Sequence, residues 1–360
     1  MQSYCVRNVV ESFIANRSTV NVCTLDLSKA FDRVNHHALL IKLMKRKLPI
    51  EVLSVLECWF SVSKTCVKWN THISKFFKLI AGVRQGGVLS PLLFAIFIDD
   101  IIQKAAECKS GCSVSFLFVN IFLYADDIVL IAPTVTGLQR LFNVCEIELV
   151  NLDMHINVSK SMCIRFGPRF NNPCAELTSI HGGTLKWVNS CRYLGVYFVC
   201  GRTFKCSFDQ AKSKLFRAFN AIYSKIGRNA SEVTILTLLR SKCVPILLYA
   251  TEACPILSRE RQSMDFVVTR LFMKMFKTVS PAIVIECQRN FNFLPISQQL
   301  TIRTAKFLQR FIASENAVCT LFSSVAASQL KDLFSAHGSA VNTVGKLTNA
   351  IFKLHCRPIL

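Results

Sequence analysis

Phe116-Leu117-Phe118-Val119-Asn120-Ile121-Phe122-Leu123-Tyr124-Ala125-Asp126-Asp127-Ile128-Val129-Leu130-Ile131-Ala132 is an apolar run interrupted by two adjacent carboxylates. The run reads as two buried strands. An ionised carboxylate inside such a segment costs several kcal/mol unless it lies in a turn or meets a cation. A tight hairpin with Asp126 and Asp127 at its tip resolves the conflict. Hard divalent cations such as Mg2+ prefer carboxylate oxygens and keep some of their waters, which leaves positions for phosphate oxygens. A third carboxylate is then expected elsewhere. By itself an Asp pair in a loop is more often plain solvated surface, so the flanking sequence carries the reading.

Upstream, Val22-Cys23-Thr24-Leu25-Asp26-Leu27 reads as a short strand that ends in an acid before the chain turns helical. Asp26 is the candidate third ligand. It opens the segment Leu25-Asp26-Leu27-Ser28-Lys29-Ala30-Phe31-Asp32-Arg33-Val34, and four further segments follow in order. They are Gly82-Val83-Arg84-Gln85-Gly86-Gly87-Val88-Leu89-Ser90-Pro91-Leu92-Leu93-Phe94, Tyr124-Ala125-Asp126-Asp127, Asn157-Val158-Ser159-Lys160-Ser161 and Tyr193-Leu194-Gly195-Val196. Together they resemble the first to fourth palm motifs and the primer grip of reverse transcriptases of the non-LTR (LINE-type) retrotransposon class. The resemblance covers roughly residues 20–200. It implies an α+β fold: a right-hand polymerase palm, with an antiparallel sheet and packed helices, beside incomplete fingers and before a mainly helical thumb and C-terminal region. Residues 1–200 would hold the fingers remnant and palm, and residues 201–360 the thumb and C-terminal extension.

The function implied is that of an RNA-directed DNA polymerase, which moves a nucleotide from a dNTP to a primer 3′-hydroxyl. Template RNA, a DNA primer and dNTP would be its partners. Such palms use two metal ions about 4 Å apart, one activating the primer hydroxyl and one neutralising the triphosphate. By resemblance Asp26, Asp126 and Asp127 are the catalytic carboxylates that hold two Mg2+ ions, with Mn2+ as a substitute. Asp26 and Asp126 would be the essential bridging ligands, with Asp127 the weaker or more solvent-facing partner. Lys160 would bring its ammonium to the leaving pyrophosphate as a general acid, or else is one of many exposed lysines. Phe31 stands where the family places a ring under the incoming sugar, which favours deoxynucleotides; packing in the core is the plain alternative. Asp32 falls in the following helical turn and reads as a cap.

The paired glycines of the Arg84-Gln85-Gly86-Gly87 loop let backbone approach a ligand, and Gln85 offers both donors and acceptors. Arg84, Gln85 and Gly86 are therefore assigned to dNTP and template contact. Ser90 is expected to cap, and Pro91 to open, a buried helix that runs to about residue 105. Asp99 and Asp100 on it read as structural, as do His36 and His37. Only about twenty-five residues precede Asp26, where the family carries a fuller fingers region. A second reading thus stays open: a truncated relic or repurposed fragment that binds nucleic acid without turnover.

Composition points to a polyanionic partner. Lys and Arg total 43 against 22 acids, for a net charge of +21 in a chain with 18% charged residues, and phosphate neutralisation drives sequence-independent binding. The basic runs Lys42-Leu43-Met44-Lys45-Arg46-Lys47 and 205–217 are candidate duplex contacts, or ordinary solvated helix faces. Apolar residues reach 51%, yet the longest apolar run, 114–132, carries Asn120, Asp126 and Asp127 and lacks basic flanks, which argues against a membrane span. The N-terminus shows no secretory pattern. Among 17 cysteines, Cys108 and Cys112 form a half-site with no matching pair, so the cysteines read as free thiols of an intracellular protein, nuclear or cytoplasmic.

Periodicity predicts helices over 41–59, 138–152, 211–226, 233–249, 260–276 and 302–322. Strands are predicted over 66–69 and 76–80, joined by a turn at Asn70-Thr71-His72, and over 185–198.

Overall fold

Every residue of the strand Val20–Leu25 is buried except the half-buried Thr24, so both faces need cover and both edges need partners. In the computed structural model, which describes residues 1–114, 117–226 and 229–355, this strand lies inside a six-stranded sheet. The order is Leu177–Thr178, Thr184–Trp187, Met162–Phe166, Val20–Leu25, Asp127–Ala132, Ile121–Tyr124. Both neighbours of Val20–Leu25 are antiparallel, in the registers Val22↔Ile164 and Val22↔Ile131. The apolar run 116–132 is strand, in three pieces where two were expected, Leu117–Val119, Ile121–Tyr124 and Asp127–Ala132; its first residue, Phe116, lies outside the described residues.

One face of the sheet, with Cys23, Leu25, Ile128, Leu130 and Cys163, joins a single apolar core with Phe94, Phe97, Ile101, Leu138, Phe142 and Leu149. Those last six lie on helices Ser90–Ile98, Asp100–Glu107 and Val135–Asn151. The third of these is the helix predicted over 138–152, and the Thr134 side chain caps it by accepting from Gly137 N–H.

Local chemistry breaks several predicted elements. The helix over 41–59 is two helices, His36–Lys45 and Ile50–Val62, parted where Lys47 adopts φ 59° and Pro49 cannot continue the ladder. The helix from Ser90 ends at Ile98 and restarts at Asp100; Ser90 makes no cap hydrogen bond and is itself the first helical residue. The strands over 66–69 and 76–80 do not pair with each other. Two nested ribbons form instead, Lys64–Thr65 with Phe77–Lys78 and Lys68–Trp69 with His72–Ile73. Positive φ at Asn70 turns the inner one. The inner ribbon leaves Trp69 76% exposed, and the loop after the outer one leaves Ile80 84% and Val88 96% exposed. The 185–198 segment is three strands, Thr184–Trp187, Ser190–Tyr193 and Val196–Val199. Leu194 and Gly195, both at positive φ, turn the last two.

The chain forms two compact units: Phe13–Cys191 with Cys200–Arg202, and Met1–Ser12 with Arg192–Val199 and Thr203–Leu360. In the second unit Tyr4 packs edge-on against Phe307 and Phe311 and donates its hydroxyl to Gln329 Oε1 at 2.9 Å. Helices dominate this unit. Asp209–Ile226 and Ser258–Phe276 follow the expected spacing, whereas the 302–322 helix is two, Ile296–Ile312 and Ala317–Leu321. The 233–249 helix widens into a π turn at Leu239–Cys243 just before Pro245, as a residue without an N–H requires. One helical stretch, Glu232–Ala253, is long and apolar enough to cross a membrane by length and composition; it carries Arg240 and Lys242.

Every cysteine among the described residues is a free thiol. Burial pushes the Cys145 and Cys191 thiols up to about 12, with Cys163 adding to the rise at Cys191, so the folded chain keeps protons that an unfolded chain releases near pH 8.5. Stability against urea should thus hold below about pH 8.5 and decline as pH rises from there toward 12. In native protein at pH 8, maleimide should label the exposed Cys58 and spare Cys145 and Cys191 until denaturant is added.

Candidate active site

The pair Tyr124↔Asp127 closes the hairpin of Ile121–Tyr124 and Asp127–Ala132, which leaves Ala125 and Asp126 as a two-residue turn. Ala125 takes φ 51°, a left-handed conformation that costs a non-glycine residue roughly 1–2 kcal/mol. The turn holds Asp126 at the exposed tip, while Asp127 opens the strand half-buried. This reverses the expectation that Asp127 is the more solvent-facing of the two: the turn has room for only one of them. Leu25 pairs with Ile128, so Asp26 is the first residue beyond the end of its strand and Asp127 the residue before Ile128 on the neighbouring one. Asp26 keeps 43% of its side chain exposed.

The backbone of Asp26 is held by the turn 157–161. Its carbonyl accepts from Asn157 N–H at 2.8 Å, and its N–H donates to Ser161 Oγ at 3.1 Å. The turn is closed on itself by Lys160 N–H and Ser161 N–H, which donate to Asn157 O at 3.1 and 2.9 Å. The Ser159 hydroxyl donates to Asn157 Oδ1 at 2.7 Å. Lys160, 69% exposed, reaches its Nζ to 3.8 Å from Asp26 Oδ2. A carboxylate edge with an ammonium beside it thus forms at one end of the sheet.

Phe31 sits in the short 3-10 turn Ala30–Arg33, its ring stacked on the buried Phe94 at 4.6 Å between centroids. Its carbonyl accepts from Val83 N–H at 2.8 Å, and Gly82 N–H donates to Val34 O at 2.8 Å. The buried His36 ring bonds Gly82 O at 2.8 Å and stacks on Phe60, a structural role; His37 is exposed. Gly82 is required here. It takes φ +90°, and a Cβ would stand 3.0 Å from Asp32 Cα and O. The glycine loop is therefore anchored to the turn that carries Phe31. Beyond the anchor Arg84, Gln85 and Gly86 are exposed, with Arg84 Nη2 donating to Lys64 O at 3.3 Å. The Asp32 side chain is exposed and makes no cap bond.

The other carboxylate pair is spoken for: Lys42 Nζ meets Asp100 Oδ2 at 2.9 Å, and Arg46 is bonded to Asp99. Half of the basic run 42–47 is thereby internal. Among the described residues no group of three or more His, Cys, Asp or Glu side chains is placed to hold a metal ion. Asp26 follows the last paired residue of its strand, Asp127 opens the neighbouring one and Asp126 lies in the turn before it, so each offers only carboxylate oxygens. That fits Mg2+, which is commonly held by one or two carboxylates together with substrate phosphates and waters, not by an all-protein cage. The reading of residues alone missed Ser161 and Gly82. The signal for Gly82 was a glycine at the start of a motif; a serine among the chain's many gives none.

The family model described as reverse transcriptase (RNA-dependent DNA polymerase) matches residues 5–198. A Pol polyprotein of a type-1 retrotransposable element R2 from Nasonia vitripennis is 35% identical over 118 residues, 33% of this chain and 11% of that protein. A probable RNA-directed DNA polymerase from transposon BS of Drosophila melanogaster is 23% identical over 84% of this chain and 34% of its own length. The chain thus spans about a tenth to a third of these relatives. Among solved structures, telomerase from Candida albicans aligns over 97% of this chain and 52% of its own, with 12% identity and a TM-score of 0.49.

Gly82→Ala should lower the urea midpoint by an amount equivalent to about 1–3 kcal/mol. Gly86→Ala shares a positive φ but has nothing within 4 Å of its Cβ, so it should cost less. Equal losses would show that the contact with Asp32 carries no weight.

Proposed function

Because the chain belongs to the reverse transcriptase (RNA-dependent DNA polymerase) family, we propose that it is the polymerase core of a non-LTR retrotransposon protein. It extends a DNA primer on an RNA template. The observation that supports this reading is the ladder that ends at Leu25↔Ile128, one residue before Asp26 and one after Asp127, with Lys160 at 3.8 Å from Asp26. Residues 201–360 act as the thumb and its extension, and the chain works inside the cell, in the nucleus or cytoplasm, where its templates are.

In this reading Asp26, Asp126 and Asp127 would hold two Mg2+ ions. Bound there, the ions lower the pKa of the primer 3′-hydroxyl and neutralise the triphosphate. Asp26 and Asp127 orient their oxygens from adjacent strand ends, and Asp126 closes the edge from the turn. Lys160 carries the proton on Nζ that the leaving pyrophosphate oxygen takes up. Phe31, braced by Phe94 behind and Val83 N–H beside it, lies under the sugar and leaves no room for a 2′-hydroxyl. Gln85 and Arg84 reach nucleotide and template from the loop whose base Gly82 fixes. Lys214, Arg217 and Lys225 stand exposed along the helix Asp209–Ile226, where they offer charge to backbone phosphates without reading sequence.

Primer extension with dNTPs on an RNA template should depend on Mg2+ and fall at least about 100-fold in Asp126→Ala and Asp26→Ala, with primer–template affinity unchanged. Tight binding without extension by the wild-type chain would make it a polymerase relic that holds nucleic acid. Phe31→Ala should raise ribonucleotide incorporation on the order of tenfold; an unchanged preference removes Phe31 from the site.

A further inference from the structure

The ladder between Val20–Leu25 and Met162–Phe166 is interrupted beside Asp26. Thr24 pairs with Met162, and beyond the interruption Leu27 bridges Ile156. Two residues on one side, Leu25 and Asp26, therefore face five on the other, residues 157–161. An interruption of this kind removes ordinary strand partners from the shorter side. The turn replaces them: Asn157 N–H serves the Asp26 carbonyl and the Ser161 hydroxyl serves the Asp26 N–H. Ser161 is only 3% exposed, and its hydroxyl is committed at both ends, since it donates to Asn157 O at 2.8 Å while accepting from Asp26. Lys160 rides on the same turn.

We propose that Ser161 is a positioning residue for the active site: its hydroxyl fixes the Asp26 backbone, and through it the aim of the Asp26 carboxylate toward a divalent cation and toward Lys160. The proposal rests on the polymerase reading and gives it a device. A carboxylate at a frayed strand end would swing with its backbone. Here both of its backbone polar groups are held by one five-residue turn, so the carboxylate keeps a fixed bearing. Outer residues that orient metal ligands commonly change metal affinity when removed. The chemistry supplies a rescue, since Thr retains the hydroxyl that Ala deletes.

The test compares wild type with Ser161→Ala and Ser161→Thr in the full chain. In Ser161→Ala, hydrogen exchange at the Asp26 amide should accelerate, Mn2+ binding by the protein alone should weaken roughly tenfold, and the Mg2+ concentration for half-maximal extension should rise by a similar factor. Primer–template affinity and melting temperature should stay close to wild type, and Thr should restore the metal response. Unchanged Asp26 exchange and Mn2+ binding in Ser161→Ala would overturn the proposal. So would parallel loss of melting temperature and template binding that Thr leaves unrepaired, which would mark Ser161 as ordinary packing. A wild-type chain that fails to extend primers would refute the polymerase reading, and the exchange and Mn2+ measurements would still decide the role of Ser161.

Discussion

The strand Val20–Leu25 is hydrogen-bonded along both edges and buried on both faces, and everything at the site follows from where that condition ends. Within the strand an unpartnered ionised group is costly, because nothing in the apolar core offsets its desolvation. At its last step the ladder on one side lapses, the face opens, and Asp26 appears. The neighbouring hairpin obeys the same rule. Its strands stay apolar until Tyr124 and Asp127, and the charge is confined to the turn and the residue after it. Two independent strands thus run out of burial at the same level of one sheet. Each carboxylate stands where its strand leaves the interior, and no attraction between them is needed to put it there.

Much of this was legible in the residues. An acid pair inside an apolar run demands a turn, and the turn is there, shorter than the pair itself, so that only Asp126 occupies it. The placement of Asp26 at a strand end was likewise readable from Val22-Cys23-Thr24-Leu25. Registers were not readable, because pairing is set by contacts far apart in sequence; nothing local says that Leu25 meets Ile128. Helix ends near Lys47-Leu48-Pro49 and at Asp99 were lost in a continuous apolar periodicity, since pattern records which face is buried and not where the axis bends. Asp99 and Asp100 owe their role to Lys42 and Arg46, partners more than fifty residues away in sequence.

Charge divides into two kinds. Lys42 and Arg46 neutralise acids within the fold, and Arg7 pairs with Glu11 on its own helix. The cations of Asp209–Ile226 that stay in water contribute field without fixing geometry. Each such pair cancels in the count, so the net charge of +21 is wholly the surplus that remains beyond the acids, and it sets the field around the chain and not its fold.

The exposed rings and aliphatics of the nested ribbons have a practical consequence for the isolated chain. At low ionic strength, mutual repulsion between strongly basic copies keeps these short open-edged ribbons apart. Salt at about 1 M shortens the screening length to a few ångströms. Colloidal protection then vanishes as Trp69, Ile80 and Val88 lose their shield. High salt and monodispersity are therefore opposing demands on a chain whose exposed apolar groups are kept apart by its net charge.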